Sequence, residues 1–224
     1  MSVDRDTNSL EKRGAAARRS ACQLYLISPK DVSGAFSERL ARAIDAALPS
    51  MPVAAFQLRL KGLDQHECAR LAAPLLAVCR EREVGFIVND DVALAKRLKA
   101  DGVHLGQQDG AIAEARETLG PGAQIGVTCH ASRHLAMEAG ESGADYVAFG
   151  AFYSSTTKPS EHRAEPELLE WWQRLMEIPC VAIGGITPAN GAPLVTAGAD
   201  FLAVSAAVWS GDEAAAVRAF GEAL

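Results

Sequence analysis

The sequence has no apolar run long enough to cross a bilayer, and no secretory signal pattern opens it. A membrane helix is not expected, and the expectation is a cytoplasmic protein. Positive charge is not in excess either. A net charge of −6 and an isoelectric point near 5.4 argue against a broad nucleic-acid surface, while leaving room for a local cationic pocket. There is no Cys-x-x-Cys pair. Cys22, Cys68, Cys79, Cys129 and Cys180 are odd in number, scattered and mostly set in apolar segments. That points away from a disulfide framework and toward free buried thiols in a reducing compartment. No nucleophile–base pair is recognisable, although a reaction without a covalent intermediate needs none. What the chain does have is 224 residues, 49% of them apolar, which is enough for one large domain with a sizeable core.

Residues 1–21 are polar, mixed in charge and aperiodic, and read as a poorly ordered N-terminal extension. Residues 22–224 read as one domain. Short apolar strands at 23–27, 53–60, 85–88, 102–105, 124–127, 146–150, 180–183 and 201–205 alternate with helices at 36–48, 65–82, 92–98, 111–119, 133–142, 165–176, 189–197 and 212–223. Strands that are apolar throughout suit a parallel sheet buried on both faces. Eight such units with nothing left over predict an α/β fold, a (β/α)8 TIM barrel, with an open doubly wound sheet as the competitor. An internal echo agrees. Lys99-Ala-Asp, Gly143-Ala-Asp and Gly198-Ala-Asp each precede an apolar strand, and the two glycines suit a left-handed helix end.

In such barrels the chemistry sits at the C-terminal strand ends, and there this chain is polar, glycine-rich or charged. Alternation along the second strand sends Phe56, Leu58 and Leu60 one way and Gln57, Arg59 and Lys61 the other, as an anion-binding wall. Asp90 and Asp109 follow the third and fourth strands. Two carboxylates without a His or Cys cluster suit a hard cation such as Mg2+, and the cations at 59, 61 and 158 suit phosphate. Asp90 could instead cap the next helix, a role Asp91 could equally fill. Gly184-Gly185 and Val204-Ser205-Ala206 follow strands seven and eight, where these barrels commonly bind phosphate through backbone N–H groups. His130 could act as an acid or base, or cap the next helix. His104, inside a strand, reads as core. Of Trp171 and Trp172, one ring is expected to pack on the barrel; the other could mark a homo-oligomer contact.

Several segments in this order resemble the thiamine phosphate synthase family. They are Gln-Leu-Arg-Leu-Lys (57–61), Val-Asn-Asp-Asp-Val-Ala-Leu-Ala (88–95), Asp-Gly-Val-His-Leu-Gly-Gln-Gln-Asp (101–109), Ile-Gly-Val-Thr-Cys-His (125–130), Ala-Asp-Tyr-Val-Ala-Phe-Gly (144–150), Thr-Thr-Lys-Pro (156–159), Ala-Ile-Gly-Gly-Ile (182–186) and Val-Ser-Ala (204–206). The resemblance implies a Mg2+-dependent transferase. It would join 4-amino-5-hydroxymethyl-2-methylpyrimidine diphosphate to 4-methyl-5-(2-hydroxyethyl)thiazole phosphate, releasing pyrophosphate by a dissociative route. It implies Asp90 and Asp109 as metal ligands and Arg59, Lys61 and Lys158 as catalytic groups on the diphosphate, with Asn89. Gln57 would meet the pyrimidine. Ser155, Thr157, Gly185, Val204 and Ser205 would surround the thiazole phosphate, and Thr128 would join the substrate-binding set. The chain departs from the family pattern at Asp91 (usually Arg or similar), Gln108 (usually acidic), Thr128 (usually Ser) and Ser154-Ser155 (usually Pro-Thr). Two rival functions share the barrel: a thiazole tautomerase-like isomerase using His130 as base, and a non-catalytic binder of a phosphorylated precursor.

Overall fold

The computed structural model describes residues 21–154 and 163–224. The expectation for the N-terminal extension therefore lies outside the described residues, apart from Ala21. Eight parallel strands close into a barrel in sequence order: β1 (Gln23–Ile27), β2 (Val53–Leu58), β3 (Gly85–Asn89), β4 (Gly102–Leu105), β5 (Gln124–His130), β6 (Tyr146–Gly150), β7 (Cys180–Ile183) and β8 (Phe201–Val204). β8 pairs back onto β1, from Gln23 opposite Phe201 to Leu26 opposite Val204. The closed (β/α)8 barrel is thus the fold, and the open sheet is excluded.

The outer layer is α1 (Phe36–Asp45), α2 (Gln65–Glu81), α3 (Val92–Leu98), α4 (Ile112–Leu119), α5 (Arg133–Glu141), α6 (Glu167–Leu175), α7 (Ala192–Ala197), α8 (Ala206–Trp209) and α9 (Glu213–Ala223). The single turn α8 lies between the last strand and the last helix, where the sequence pattern assigns no element. None of the described helices is long and apolar enough to cross a membrane.

Strand alternation divides the core in two. Leu24, Leu26, Phe56, Leu58, Phe86 and Val88 join the large cluster that includes the buried helix residues. Tyr25, Ile27, Ile87, Tyr146, Ala148, Val181 and Ala203 form a separate, smaller cluster inside the barrel. Each large apolar side chain fully buried in the outer layer contributes about 1.5–3 kcal/mol. The inner layer is smaller and includes hydroxyl groups, which need partners. All five cysteines are free and buried. Trp172 is fully buried and donates from its indole N–H to the Ile178 carbonyl at 2.7 Å. Trp171 is partly buried beneath the Arg133 guanidinium, 4.8 Å from the ring centre.

The repeated Ala-Asp joint has a physical cause. Asp101, Asp145 and Asp200 each accept, through Oδ2, the N–H at or near the start of the preceding strand: Phe86 at 2.7 Å, Ile125 at 2.7 Å and Cys180 at 2.8 Å. Each Asp N–H donates to the carbonyl of that same residue, at 2.9, 2.8 and 3.1 Å. Three reciprocal staples thus lock β3, β5 and β7 at the N-terminal face. The preceding Gly143 and Gly198 have φ of +90° and +104°, as expected, while Lys99 takes the left-handed position without a glycine, at +51°.

Of the boundaries that differ from the sequence reading, two bear on the C-terminal face. β2 ends at Leu58 rather than at residue 60, because the Arg59 N–H turns to the Ser28 hydroxyl at 2.9 Å instead of to a neighbouring strand. β5 runs on to His130 through an irregularity between Thr128 and His130.

Candidate active site

Asp90 and Asp109 meet at the C-terminal ends of β3 and β4. Asp90 follows Asn89, the last residue of β3, which lies opposite His104. Its N–H donates to the His104 carbonyl at 2.8 Å, extending the ladder by one bond, and its φ of +66° is uncommon for a side chain with a Cβ. Asp109 Oδ2 accepts the Gly106 N–H at 2.8 Å. Burial raises the Asp90 pKa above the ordinary carboxylate value, and contact with the Asp109 carboxyl raises it further. Lys61 pulls the other way, with Nζ 3.5 Å from Asp90 Oδ2.

The choice between Asp90 and Asp91 as helix cap resolves cleanly. Asp91 caps α3, accepting the Leu94 N–H at 2.8 Å, and its carboxylate also takes the Gln65 amide at 2.8 and 3.1 Å. Asp90 therefore has no capping task. Among the described residues no group of three or more His, Cys, Asp or Glu gathers as a metal cluster. The site offers two hard oxygen donors in contact with each other and a lysine beside them.

Gln57, Arg59 and Lys61 do not form one strand face. Gln57 lies inside the barrel, 3% exposed, whereas Arg59 and Lys61 stand beyond the end of β2. Ser28, which closes β1, organises this turn. Its N–H donates to the Gln57 carbonyl at 2.9 Å, its Oγ accepts the Arg59 N–H, and its carbonyl accepts the Ser205 hydroxyl at 3.4 Å. Sequence reading missed Ser28. Its signal in the sequence is a polar residue directly after the apolar first strand, at the C-terminal face of the barrel.

A chain of hydrogen bonds crosses the barrel interior beneath these groups. Gln57 Nε2 donates to the Tyr25 hydroxyl at 3.1 Å, which pairs with the Tyr146 hydroxyl at 2.9 Å. Tyr146 meets His104 Nδ1 at 3.1 Å, and His104 Nε2 meets Thr128 Oγ1 at 2.8 Å. Gly126 makes room, since a Cβ there would run into the Tyr146 ring. Burial lowers the His104 pKa to about 4, with Asp109 opposing, so the imidazole is neutral at pH 7. Burial also raises both tyrosines above their ordinary value. His104 is core, as expected, but a polar core residue with both ring nitrogens engaged. Tyr25 and Tyr146 were not anticipated.

The described members of the second set, Gly185, Val204 and Ser205, lie at the ends of β7 and β8. Gly185 has φ of +63°, and a Cβ there would strike the Ser154 carbonyl. Asn190 holds this loop. Its Oδ1 accepts the Thr187 N–H at 2.8 Å, its Nδ2 donates to the Gly185 carbonyl at 3.1 Å, and its carbonyl accepts the Tyr153 hydroxyl at 2.7 Å. Val204 ends β8, and Ser205 leads into α8. His130, the last residue of β5, has φ of +51°. Ser155, Thr157 and Lys158 lie outside the described residues.

A family model described as thiamine monophosphate synthase matches residues 24–208. A thiamine-phosphate synthase from Erythrobacter litoralis is 68% identical over 204 residues, covering 90% of this chain and 95% of the relative. One from Hyphomonas neptunium is 50% identical over 211 residues, covering 92% and 95%. The solved thiamine phosphate pyrophosphorylase from Pyrococcus furiosus superposes with a TM-score of 0.78 at 29% identity, covering 91% of this chain and 95% of that one.

Proposed function

The chain belongs to the thiamine monophosphate synthase family and is a transferase that makes thiamine phosphate, and we propose that it does so at the C-terminal barrel face with Asp90 and Asp109 holding Mg2+. The observation that carries this reading is the contact between the two carboxyl groups, which lifts the Asp90 pKa and leaves their mutual repulsion only partly offset by Lys61. A divalent cation relieves it. The donor set fits Mg2+, which is commonly held by one or two carboxylates and completed by water and substrate phosphate. When bound, the ion supplies positive charge to a departing diphosphate.

The substrates in this reading are 4-amino-5-hydroxymethyl-2-methylpyrimidine diphosphate and 4-methyl-5-(2-hydroxyethyl)thiazole phosphate. Arg59, Lys61 and Lys158, with Asn89, grip the diphosphate and stabilise the charge that grows on it as the C–O bond breaks. Gln57 and Thr128 bind the pyrimidine, whose ring carries the resulting cation. Ser155, Thr157, Gly185, Val204 and Ser205 hold the thiazole phosphate so that the ring nitrogen faces that cation. Alignment and electrostatics then do the catalysis. Metal-free isomerisation by His130 would give Asp90, Asp109 and Lys61 no task. Free thiols in all five cysteines support a reducing compartment, the cytoplasm.

The test is pyrophosphate release by the purified chain with both precursors, with and without Mg2+. Release that needs both precursors and the ion, with thiamine phosphate formed, is the expected result. Full turnover after exhaustive chelation would overturn the metal assignment.

A further inference from the structure

The hydrogen-bond chain across the barrel has a direction. Gln57 donates its amide N–H to the Tyr25 hydroxyl. Tyr25 has one proton of its own, and the acceptor next to it in the chain is the Tyr146 oxygen. The Tyr146 proton then goes to His104 Nδ1. A neutral imidazole that accepts at Nδ1 carries its hydrogen on Nε2, which donates to Thr128 Oγ1. With the Gln57 amide nitrogen as the donor to Tyr25, the reverse order would leave the Tyr25 proton with no acceptor in the chain. In the forward order both tyrosine hydrogens and the imidazole hydrogen are used, as buried polar groups require. No buried side-chain nitrogen or oxygen among the described residues lacks a partner. Two consequences follow at the ends. The Gln57 amide is held with its N–H toward Tyr25, leaving Oε1 as its free group. The Thr128 hydroxyl accepts from His104, leaving its own hydrogen to be donated.

We infer that Tyr25, Tyr146 and His104 are positioning residues, which fix Gln57 as a hydrogen-bond acceptor and Thr128 as a donor toward the pyrimidine. The inference rests on the reading that Gln57 and Thr128 meet that ring. An acceptor at Gln57 selects an amino N–H and rejects a carbonyl oxygen in its place. The chain is therefore a specificity device for the 4-amino group over a 4-oxo analogue. An amino group that donates to Gln57 also releases more electron density into the ring as positive charge develops there. The layer carrying the device is almost closed to solvent: Tyr25, Tyr146 and His104 are 4, 7 and 8% exposed. The order of protons is thus not scrambled by exchangeable water.

The experiment compares kcat/KM for the 4-amino pyrimidine diphosphate with that for its 4-oxo analogue in the full-length enzyme. Tyr25→Phe keeps the ring and removes the acceptor that holds the Gln57 amide. It should lower the amino-over-oxo preference at least about tenfold, while KM for the thiazole phosphate stays at the wild-type value. His104→Gln keeps an acceptor and a donor in the slot and should retain more of the preference than His104→Leu. Gln57→Met, which removes both amide groups, serves as the control on the underlying reading. If Gln57→Met changes the preference and Tyr25→Phe does not, the positioning role is wrong while the pyrimidine contact stands. If Gln57→Met leaves the preference intact, Gln57 does not meet the pyrimidine and both fall. Should a histidine variant fail to fold, the isosteric tyrosine variant still decides.

Discussion

The barrel carries aspartates at both ends, and their surroundings differ. At the N-terminal face, Asp101, Asp145 and Asp200 each take a backbone N–H from the preceding strand at 2.7–2.8 Å. These bonds are complete without any ligand. At the C-terminal face, Asp90 and Asp109 face each other, and the Asp90 pKa is raised by burial and by its neighbour. On the proposed reading, a cation would complete this second arrangement. At Asp101, Asp145 and Asp200 the bonds within the fold are the carboxylate's whole task, whereas Asp90 keeps a like charge beside it; Asp109 does both, since its Oδ2 also accepts the Gly106 N–H at 2.8 Å. Asp91 sharpens the contrast: it lies at the catalytic end yet is spent on a helix cap and on Gln65.

Acidification gives the largest expected effect that separates the two ends. His104, in the layer beside the carboxylate pair, has its folded pKa lowered from 6.5 to about 4. The unfolded chain binds the extra proton first, so stability is complete above about pH 6.5 and is lost as pH falls toward 4, by up to about 3 kcal/mol. Asp90 has the opposite sign. Its raised pKa means that protonation in the folded state relieves repulsion, so its own contribution to stability improves as pH falls. Denaturant unfolding of wild type and His104→Gln across this range separates them: the wild-type slope should flatten or reverse in the variant. A wild-type-like slope in the variant would remove His104 from the account.

A smaller effect is expected at the opposite end. Asp200→Ala leaves the Cys180 N–H and the Gln173 amide without their acceptor, both at 2.8 Å in the native chain. Stability should fall by about 1–3 kcal/mol, with turnover per folded molecule unchanged. A selective loss of turnover in a stable Asp200→Ala protein would break the division between the two ends.

Much of this was legible in the sequence, for reasons that also explain the rest. Eight apolar segments separated by helices define the barrel, and the rule that chemistry gathers at the C-terminal strand ends then picks out Asp90, Asp109 and Lys61. Side-chain alternation also placed Gln57 correctly opposite Phe56 and Leu58. It failed at Arg59 and Lys61, because the alternating pattern runs on after β2 has lost its partner. The end of a ladder is set by where the next N–H finds an acceptor, here the Ser28 hydroxyl far away in sequence. The Tyr25–Tyr146–His104 chain joins three strands and leaves no local periodicity to read. The choice between Asp90 and Asp91 as cap was likewise closed to spacing, since it turns on one residue's φ.

The most direct test of the central contrast is Asp90→Asn, measured for thermal stability without metal and for Mg2+-dependent pyrophosphate release with both precursors. The account requires a melting temperature at or above that of wild type, because one repelling charge is gone, and a loss of turnover of at least about 100-fold. A marked fall in melting temperature with near-wild-type turnover of the folded fraction would show Asp90 to be structural like Asp200, and would contradict it.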